Sequence, residues 1–559
     1  MDNRSKCVCV SALFVLLIAA VLSAQETTAS FRGTVLDPSG ARVPSARVTA
    51  IQSETVYTRS TVSDAAGEYA LVLLPVGHYR LEVTASGFRQ YVQDGIELSV
   101  NQVALIPVHL QVGLPQQSVQ VKSNAALLAT TNDLGETVQD SEIVDLPLNG
   151  RNFSQLGLLL PGSAPLTQGL QLAGGSMRGG QSYSIDGMRP ESNQFLVDGV
   201  ENYNTANGGF VLKPPPDAIA EFRILTNTAS AEFGHNAGSN TNIVTRSGSN
   251  HVHGDAYEFL RNDAVDARNF FSSSVEPLKQ NQFGGTLGGP IRRDRTFLFG
   301  YYEGFRNRQG KTQLTTVPTA EERQGNFQAL CSSYSPQGFC TDPSGTQLVN
   351  VFAPTPQPLP FNQLPPGAIS SISQNLLAFF PLPNAPNYGP NAFGATQEVH
   401  NTSDQFGLRF DHYLSSRDTI SFHYLFTSGS QLDPLAIAGA NVPGFPVGED
   451  FQAQDAALEE THSISPAVVN VFRFSFLRNK FLFGEASNHT DISSLGFTYS
   501  PTLASQAGPP FIEVGGYASV GNPITGPADD YQNTYSLTDS MAWVRGMNSS
   551  LVARSNTTS

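Results

Sequence analysis

Asp198 and Glu201, in the run Asn193-Gln-Phe-Leu-Val-Asp-Gly-Val-Glu-Asn202, are spaced as two carboxylates that could act as general acid and base. The Asp198-Gly199 dipeptide explains the same residues without a substrate, because Asp-Gly forms a tight turn at a strand end. Gly310-Lys-Thr312 ends like a phosphate-binding loop, yet Gly304 stands one residue too far upstream to complete it. There is no Gly-x-Ser-x-Gly elbow, and no His-x-x-Glu or His-Glu-x-x-His pair to hold a catalytic zinc. The ten histidines are scattered without metal-ligand spacing. Cys331 and Cys340 flank a polar stretch and, in an exported chain, read as a disulfide closing a small loop; a metal site would need neighbouring His or further Cys. These residues predict no catalytic centre, no metal and no cofactor, so the chain is not expected to be an enzyme.

The surrounding composition points to strands. A chain of 559 residues is too long for one core. Fifty glycines, 36 prolines, 35 Phe and 17 Tyr against a single Trp, with only 14% charged residues, favour many short strands over helices. A formal charge of −15 argues against nucleic acid as a partner, since phosphate binding needs a basic surface, and it disfavours a patch for anionic lipid.

Arg4 and Lys6 precede an apolar run, Ala12 to Leu22, which is followed by Ser23-Ala24-Gln25. This order predicts a secretory signal peptide over residues 1–24, because the run falls short of the ~20 apolar residues that a spanning helix needs. Cys7 and Cys9 leave with it. Any passage through a membrane must then use a closed β-barrel, which satisfies its own backbone groups in lipid.

Residues 28–113 alternate apolar and polar positions between turn signals. Ala46, Val48 and Ala50 are interleaved with Arg47 and Thr49, and Tyr79, Leu81 and Val83 with Arg80 and Glu82. Asp37-Pro-Ser-Gly40 and Pro75-Val-Gly77 are turns, and the whole reads as a small β-sandwich. The series Gly33-Thr-Val…Asp37-Pro-Ser-Gly…Asp64-Ala-Ala-Gly-Glu-Tyr…Leu74-Pro-Val-Gly-His-Tyr-Arg-Leu-Glu-Val-Thr resembles the carboxypeptidase regulatory-like domain. That resemblance implies a transthyretin-like accessory module without peptidase activity.

From 123 to 246, short runs around Phe222, Ile224 and Ile243 are separated by Phe233-Gly234 and Ala237-Gly-Ser239, as in small strands joined by glycine turns. Asp217-Ala-Ile-Ala-Glu-Phe-Arg-Ile-Leu, leading to Asn242-Ile-Val-Thr-Arg-Ser-Gly248, closely resembles the end of the plug of TonB-dependent outer-membrane receptors. Ile143-Val-Asp-Leu-Pro-Leu-Asn-Gly-Arg-Asn-Phe153, Ser176-Met-Arg-Gly-Gly180 and Phe195-Leu-Val-Asp-Gly-Val200 extend the likeness to the Oar-like subgroup. The resemblance implies a small α+β plug, with Arg178-Gly179 and Asp198-Gly199 as its turns and Asn242, Ile243, Val244, Thr245 and Arg246 as its closing strand. It also implies a TonB box in the linker 114–122, where Gln117, Ser118, Val119, Gln120 and Val121 are extended in character and suited to strand addition; a plain linker strand fits these residues as well.

Residues 247–559 carry amphipathic strands. Phe406, Leu408 and Phe410 alternate with Gln405, Gly407, Arg409 and Asp411; beyond Ser415-Ser-Arg-Asp418, Ile420, Phe422, Tyr424 and Phe426 alternate with Thr419, Ser421 and His423. Aromatics on one face and polar groups on the other suit a transmembrane hairpin, although a half-buried hairpin of a soluble sandwich has the same period. The expected fold class is mostly β: sandwich, plug, and the N-terminal part of a large antiparallel barrel. The family's barrel has about twenty-two strands, and at ~10 residues per strand residues 247–559 supply fewer than half. The expectation is a C-terminally shortened receptor.

The resemblance thus implies an outer-membrane receptor that passes a substrate through the barrel, gates it with the plug and draws energy from the TonB complex of the inner membrane. Its partners are that complex, outer-membrane lipid and a substrate the sequence does not name. The alternatives are a secreted or surface adhesion protein binding through its loops, and a truncated fragment without function.

Overall fold

The computed structural model describes residues 28–113, 118–122, 135–165, 183–204, 209–226, 237–268, 275–351, 353–435, 440–499, 503, 507–523, 527–545 and 548–558. The expected signal peptide, Gln117 and the Arg178-Gly179 turn lie outside these residues.

The first unit is a sandwich of two sheets. Its strands are β1 (Thr28–Leu36), β2 (Arg47–Gln52), β3 (Thr58–Val62), β4 (Glu68–Pro75), β5 (Gly77–Thr84), β6 (Gln90–Leu98), β7 (Val103–Leu105), β8 (Val108–His109) and β9 (Ser118–Lys122). One sheet runs β4-β1-β7, with β8 also on β1; the other runs β3-β2-β5-β6-β9. Along β1 every second residue, Ala29, Phe31, Gly33 and Val35, turns inward, the two-residue period of a one-sided strand. Phe31 meets Tyr79 edge-to-face at 5.7 Å in the core, a favoured quadrupole arrangement. A side chain at Gly33 would sit 2.0 Å from the Ile106 carbonyl oxygen, so only glycine lets the chain after β7 lie this close.

The plug follows with β10 (Gly135–Gln139), β11 (Ser163–Pro165), β12 (Tyr183–Ile185), β13 (Gln194–Val197), β14 (Val200–Glu201), β15 (Tyr203–Asn204), β16 (Gly209–Phe210), β17 (Ile219–Leu225) and β18 (Asn240–Thr245). Its main sheet has the order β10-β17-β18-β13-β14. Nearly all of β17 and all of β18 are buried, as expected of central strands covered on both faces. A short helix, Asp140–Asp145, and a 3-10 turn, Phe153–Leu159, lie against this sheet. Phe195 and Phe210 pack at 4.1 Å and Phe153 meets Phe210 edge-to-face at 5.2 Å.

The wall is a nine-stranded antiparallel sheet: β19 (His253–Asn262), β20 (Leu278–Arg292), β21 (Thr296–Thr316), β24 (Ala392–Tyr413), β25 (Asp418–Asp433), β26 (Val447–Ser465), β27 (Val468–Phe483), β28 (Ala528–Arg545) and β29 (Asn548–Thr558), paired in that order. The two short strands β22 (Val349–Asn350) and β23 (Gln357–Pro358) pair inside one connection. Phe406, Leu408, Phe422, Leu458, Phe472, Phe474, Tyr535 and Leu537 are exposed on the outer face. Arg409, His423, Asp455, Arg473 and Ser475 point the other way and are buried or half-buried. A soluble sandwich hairpin would bury the apolar face, so this inverted pattern is that of a lipid-facing wall. No described helix is long and apolar enough to cross a membrane.

Short turns at 293–295, 414–417 and 466–467 mark one end of the wall, and connections 317–391, 434–446 and 484–527 the other. Short turns are the periplasmic mark of such walls and long loops the extracellular one. Read from sequence, the Pro-rich stretch between Phe352 and Pro390 is surface loop without core. The structure instead joins the long connections in a packed cluster, where Val317, Phe380, Val442, Phe445 and Val520 are all buried. The Cys331–Cys340 disulfide closes a loop of this layer, with the two Cα atoms 5.9 Å apart.

Candidate functional site at the plug and wall

The plug touches the inner face of the wall through two groups of charged residues. The first centres on Asp198, in the two-residue connection between β13 and β14. Asp198 and Gly199 both take positive φ, 48° and 75°, the backbone of a tight hairpin turn. The turn is fixed within the plug: Thr245 donates its backbone N–H to Asp198 Oδ1 at 2.9 Å and its hydroxyl to Oδ2 at 2.6 Å. Two residues that the sequence marked separately thus meet in space.

The wall then reaches the same carboxylate. Arg409 Nη1 lies 3.1 Å from Asp198 Oδ1 and donates to the Thr245 carbonyl oxygen at 2.8 Å. His423 Nδ1 lies 3.1 Å from Asp198 Oδ2, and its Nε2 lies 3.6 Å from Asp455, which is fully buried. Arg473 donates to the Gly199 carbonyl oxygen at 3.0 Å while pairing with Glu459. Burial acts to raise the Asp198 carboxyl, but the Arg409 guanidinium and the His423 and Thr245 hydrogen bonds outweigh it and hold it well below the usual carboxylate range.

The second group lies nearer the middle of the wall. Arg151, in the plug turn Asn149–Arg151, pairs with Asp217 and stacks over the rings of Tyr257 and Phe259 at 4.5 and 4.4 Å. Its Nε lies 3.9 Å from Glu303, which accepts from Tyr257 at 3.0 Å and from Gln405 at 2.8 Å.

Beside these two groups a cleft opens on each side of the plug. The periplasmic one lies between sandwich, plug and wall and includes Thr55, Tyr57, Asp198, Thr245, Arg409 and Arg473. The outward one is lined by Phe153, Phe210, Lys213, Gln405, Phe451, Asn479 and Phe481. Burial lowers the Lys213 amine to about 7, and Asn479 Nδ2 is buried without a hydrogen-bond partner. Aromatic walls with a few convergent polar groups are what small-molecule clefts present.

Of the other residues marked from sequence, Asn242, Ile243, Val244 and Thr245 form most of β18. Arg246 follows it and donates Nε to the Ile219 carbonyl oxygen at 3.2 Å. Ser118 to Val121 lie in β9, and Cys331 and Cys340 lie in the extracellular layer, remote from the plug contacts. Glu201 pairs along the sheet with Leu196, and Gln194 Nε2 lies 3.3 Å from its carboxylate. Glu303, Asp455, Glu459 and Lys213 carried no sequence mark, and Arg151 and Asp217 stood only within runs that resemble the plug, with no role assigned. Arg409 and His423 were marked, as inward positions of the hairpin, but periodicity gives a facing direction and no partner.

Three family profiles match the chain in series: a carboxypeptidase regulatory-like domain over 30–111, a TonB-dependent receptor plug domain over 136–240, and an outer membrane beta barrel domain over 244–550. The last covers more than half of the residues. The chain belongs to this outer-membrane β-barrel family. With the plug and the accessory domain it has the domain series of an Oar-like TonB-dependent receptor, and these domains place it in the outer membrane. The receptor is 27% identical over 323 residues to the TonB-dependent transporter Oar of Myxococcus xanthus, covering 55% of this chain and 29% of that protein. Among solved structures it is similar to the outer membrane transporter YddB of Escherichia coli, at 12% identity, TM-score 0.43, over 73% of this chain and 45% of that one. A mutant of the ferric enterobactin receptor of Pseudomonas aeruginosa matches at 13% identity and TM-score 0.37, over 73% and 46% of the two chains. The receptor therefore spans under a third of the length of Oar and about half that of the solved transporters.

Proposed function

We propose that this receptor takes up a substrate across the outer membrane, with the plug as its gate and the TonB complex of the inner membrane as its source of energy. The observation that carries the reading is the Asp198 cluster: the plug turn is bound to the wall by buried, hydrogen-bonded charges. Such contacts hold a closed position firmly and come apart as a unit, because each wall charge that loses the plug turn is left partly buried without it. Residues 117 to 121 would be the box through which the TonB complex pulls, and outer-membrane lipid would cover the exposed Phe and Leu of the wall. The outward cleft beside Lys213 is where a substrate would first meet the plug. In this reading the chain binds and passes its substrate unchanged and performs no catalysis.

The test is to express the receptor in a Gram-negative host, fractionate the envelope and capture the detergent extract on the C-terminal domain of TonB. The receptor is expected in the outer-membrane fraction and on the captured beads, and deleting residues 117 to 121 should abolish capture while leaving the fraction unchanged. Undiminished capture after the deletion removes the box assignment.

A further inference from the structure

Asp418, Glu460 and His462 bring three metal-ligating side chains together on the outer face of the wall, with one ligand atom from each within 4.8 Å of the other two. Strand register makes the set. Asp418 stands directly opposite His462 across the β25–β26 pair, and Ile420 opposite Glu460. Glu460 and His462, two apart on one strand, share a face. Asp418 and Glu460 are diagonal neighbours, within reach of a long side chain. Thr419 and Thr461, which lie between them along the chain, line the periplasmic cleft on the inner side, so the three ligands face out. The exposed Trp543, opposite Val468, lies slightly nearer the short-turn end of the wall. Aromatic girdles of this kind mark the headgroup level, where water and ions reach the set; the side chains of His462 and Asp418 remain 43% and 27% exposed.

The carboxylate of Asp418 is aimed from behind. The Ser415 hydroxyl donates to its Oδ2, which leaves Oδ1 against His462 Nδ1. Ser415 Oγ also accepts the backbone N–H of Arg417 and Asp418 at 3.0 and 3.1 Å, which fixes the turn. Glu460 is placed differently. It is exposed between Ile420 and Phe472, its opposite numbers on the two adjacent strands, and no hydrogen bond or ion pair reaches it among the described residues. Arg417 puts one positive charge near Asp418 without forming an ion pair with any of the three. Two carboxylates and an imidazole at the edge of a lipid layer thus carry more negative charge than this turn offsets.

We propose that Asp418, Glu460 and His462 form a site for a divalent transition-metal ion, zinc foremost, that clamps β25 to β26 at the periplasmic rim of the wall. One imidazole nitrogen with two carboxylate oxygens suits Zn²⁺ and its neighbours, whereas Ca²⁺ and Mg²⁺ take oxygen ligands. The ion takes the place of the proton between Asp418 Oδ1 and His462 Nδ1, and the imidazole keeps its other proton on Nε2. Those two atoms part to about 3.3 Å, the edge of a tetrahedron with ~2.0 Å bonds, while the Ser415 hydrogen bond keeps the carboxylate aimed. Glu460 gains the partner it lacks, and water fills the outward fourth position. The set is hidden along the chain because 44 positions separate Asp418 from His462.

The experiment uses the full receptor without an affinity tag, purified in detergent, stripped with a chelator and titrated with Zn²⁺. Calorimetry gives the affinity, and elemental analysis after gel filtration gives the metal per chain. Wild type is expected to retain one equivalent, and Glu460→Gln and His462→Gln should each weaken binding by about tenfold or more. Glu460→Gln removes an exposed carboxylate that holds no other described group, so its fold is not at stake, and an unchanged heat-modifiable band on a gel checks this. A wild type that retains no zinc overturns the proposal. Zinc held equally by wild type and both variants overturns it too, by placing the ion elsewhere, for example at His251 and His253. Displacement of the zinc by millimolar Ca²⁺ overturns the assigned metal class, since an oxygen-only acidic patch would then explain the binding, whereas indifference to Ca²⁺ supports it.

Discussion

Arg409 of the wall strand β24 spans the plug's two fixed points at once, pairing with the Asp198 carboxylate at 3.1 Å and donating to the Thr245 carbonyl oxygen at 2.8 Å. Nη1 alone thereby ties the β13–β14 turn and the end of β18 to the barrel face, while Nε of the same guanidinium pairs with Asp411 on its own strand at 3.2 Å.

Replacing Asp198 with Asn should therefore loosen the plug more than the loss of one surface pair would. Arg409 would keep Asp411 at 3.2 Å and His423 would keep Asp455 at 3.6 Å, but both would lose the carboxylate of the plug, at a cost of about 1–3 kcal/mol. Limited proteolysis in detergent should cut the plug at least tenfold faster in Asp198→Asn. Asp198→Asn with Arg409→Met should recover part of that protection, and equal cutting of wild type and single variant would show that the cluster does not hold the plug.

The contact between sandwich and plug should weaken as pH rises. Burial lifts the Glu221 carboxyl to about 7 from an ordinary 4.5, against the lowering effect of the Val100 N–H and Arg223 and with Glu97 adding to the rise. The docked state thus holds a proton that an undocked, solvated Glu221 releases near pH 4.5. Docking is favoured below that value and loses this contribution as pH climbs through about 7. Exchange of the Val100 amide should speed up over this window, and Glu221→Gln should flatten the profile.

The outer face should reject charge while the inner face accepts it. Leu408→Arg or Phe474→Arg would place a cation against lipid at a cost of about 2–4 kcal/mol near the midplane, and the folded, heat-modifiable band on a gel should fall sharply after refolding into vesicles. Thr461→Lys, on the inward face where it lines the periplasmic cleft, should leave that band largely intact.

Opening the Cys331–Cys340 bond should loosen only the extracellular layer. Closing a loop this short is worth roughly 2–3 kcal/mol through the entropy of the open chain. Cys331→Ser with Cys340→Ser should make residues 331–345 accessible to protease without altering the plug fragment pattern. Faster cleavage of the plug would show the two regions to be coupled.

The sequence made the wall strands legible because Phe406, Leu408 and Phe410 repeat every two residues, and that period is set by the backbone. It made the Asp198-Gly199 turn legible because few residue pairs take two positive φ values in succession. It could not show that Arg409, His423 and Arg473 converge on that turn. Those contacts join residues more than 160 positions apart, and nothing in a local pattern encodes which inward side chain meets which plug turn. Residues 118 to 122 were legible as extended and form a strand, but their partner was not: a short extended run looks alike whether it is solvated or paired, and β6 lies upstream in another unit.

The pairing of the plug sheet has a consequence for the timing of assembly. Most wall strands bond across a short turn or one loop to the next wall strand in the chain, but β10 must find β17 across nearly the whole length of the plug, with β13 pairing to β18 in parallel between them. Distant pairings pay chain-closure entropy before they gain contacts, so they form slowly. As the chain is threaded from its N-terminus, the plug cannot complete its sheet until β18 has emerged, and the first wall hairpin follows immediately behind. Plug and wall must then be made in overlapping intervals, and a periplasmic chaperone would have to shield two unfinished sheets at once.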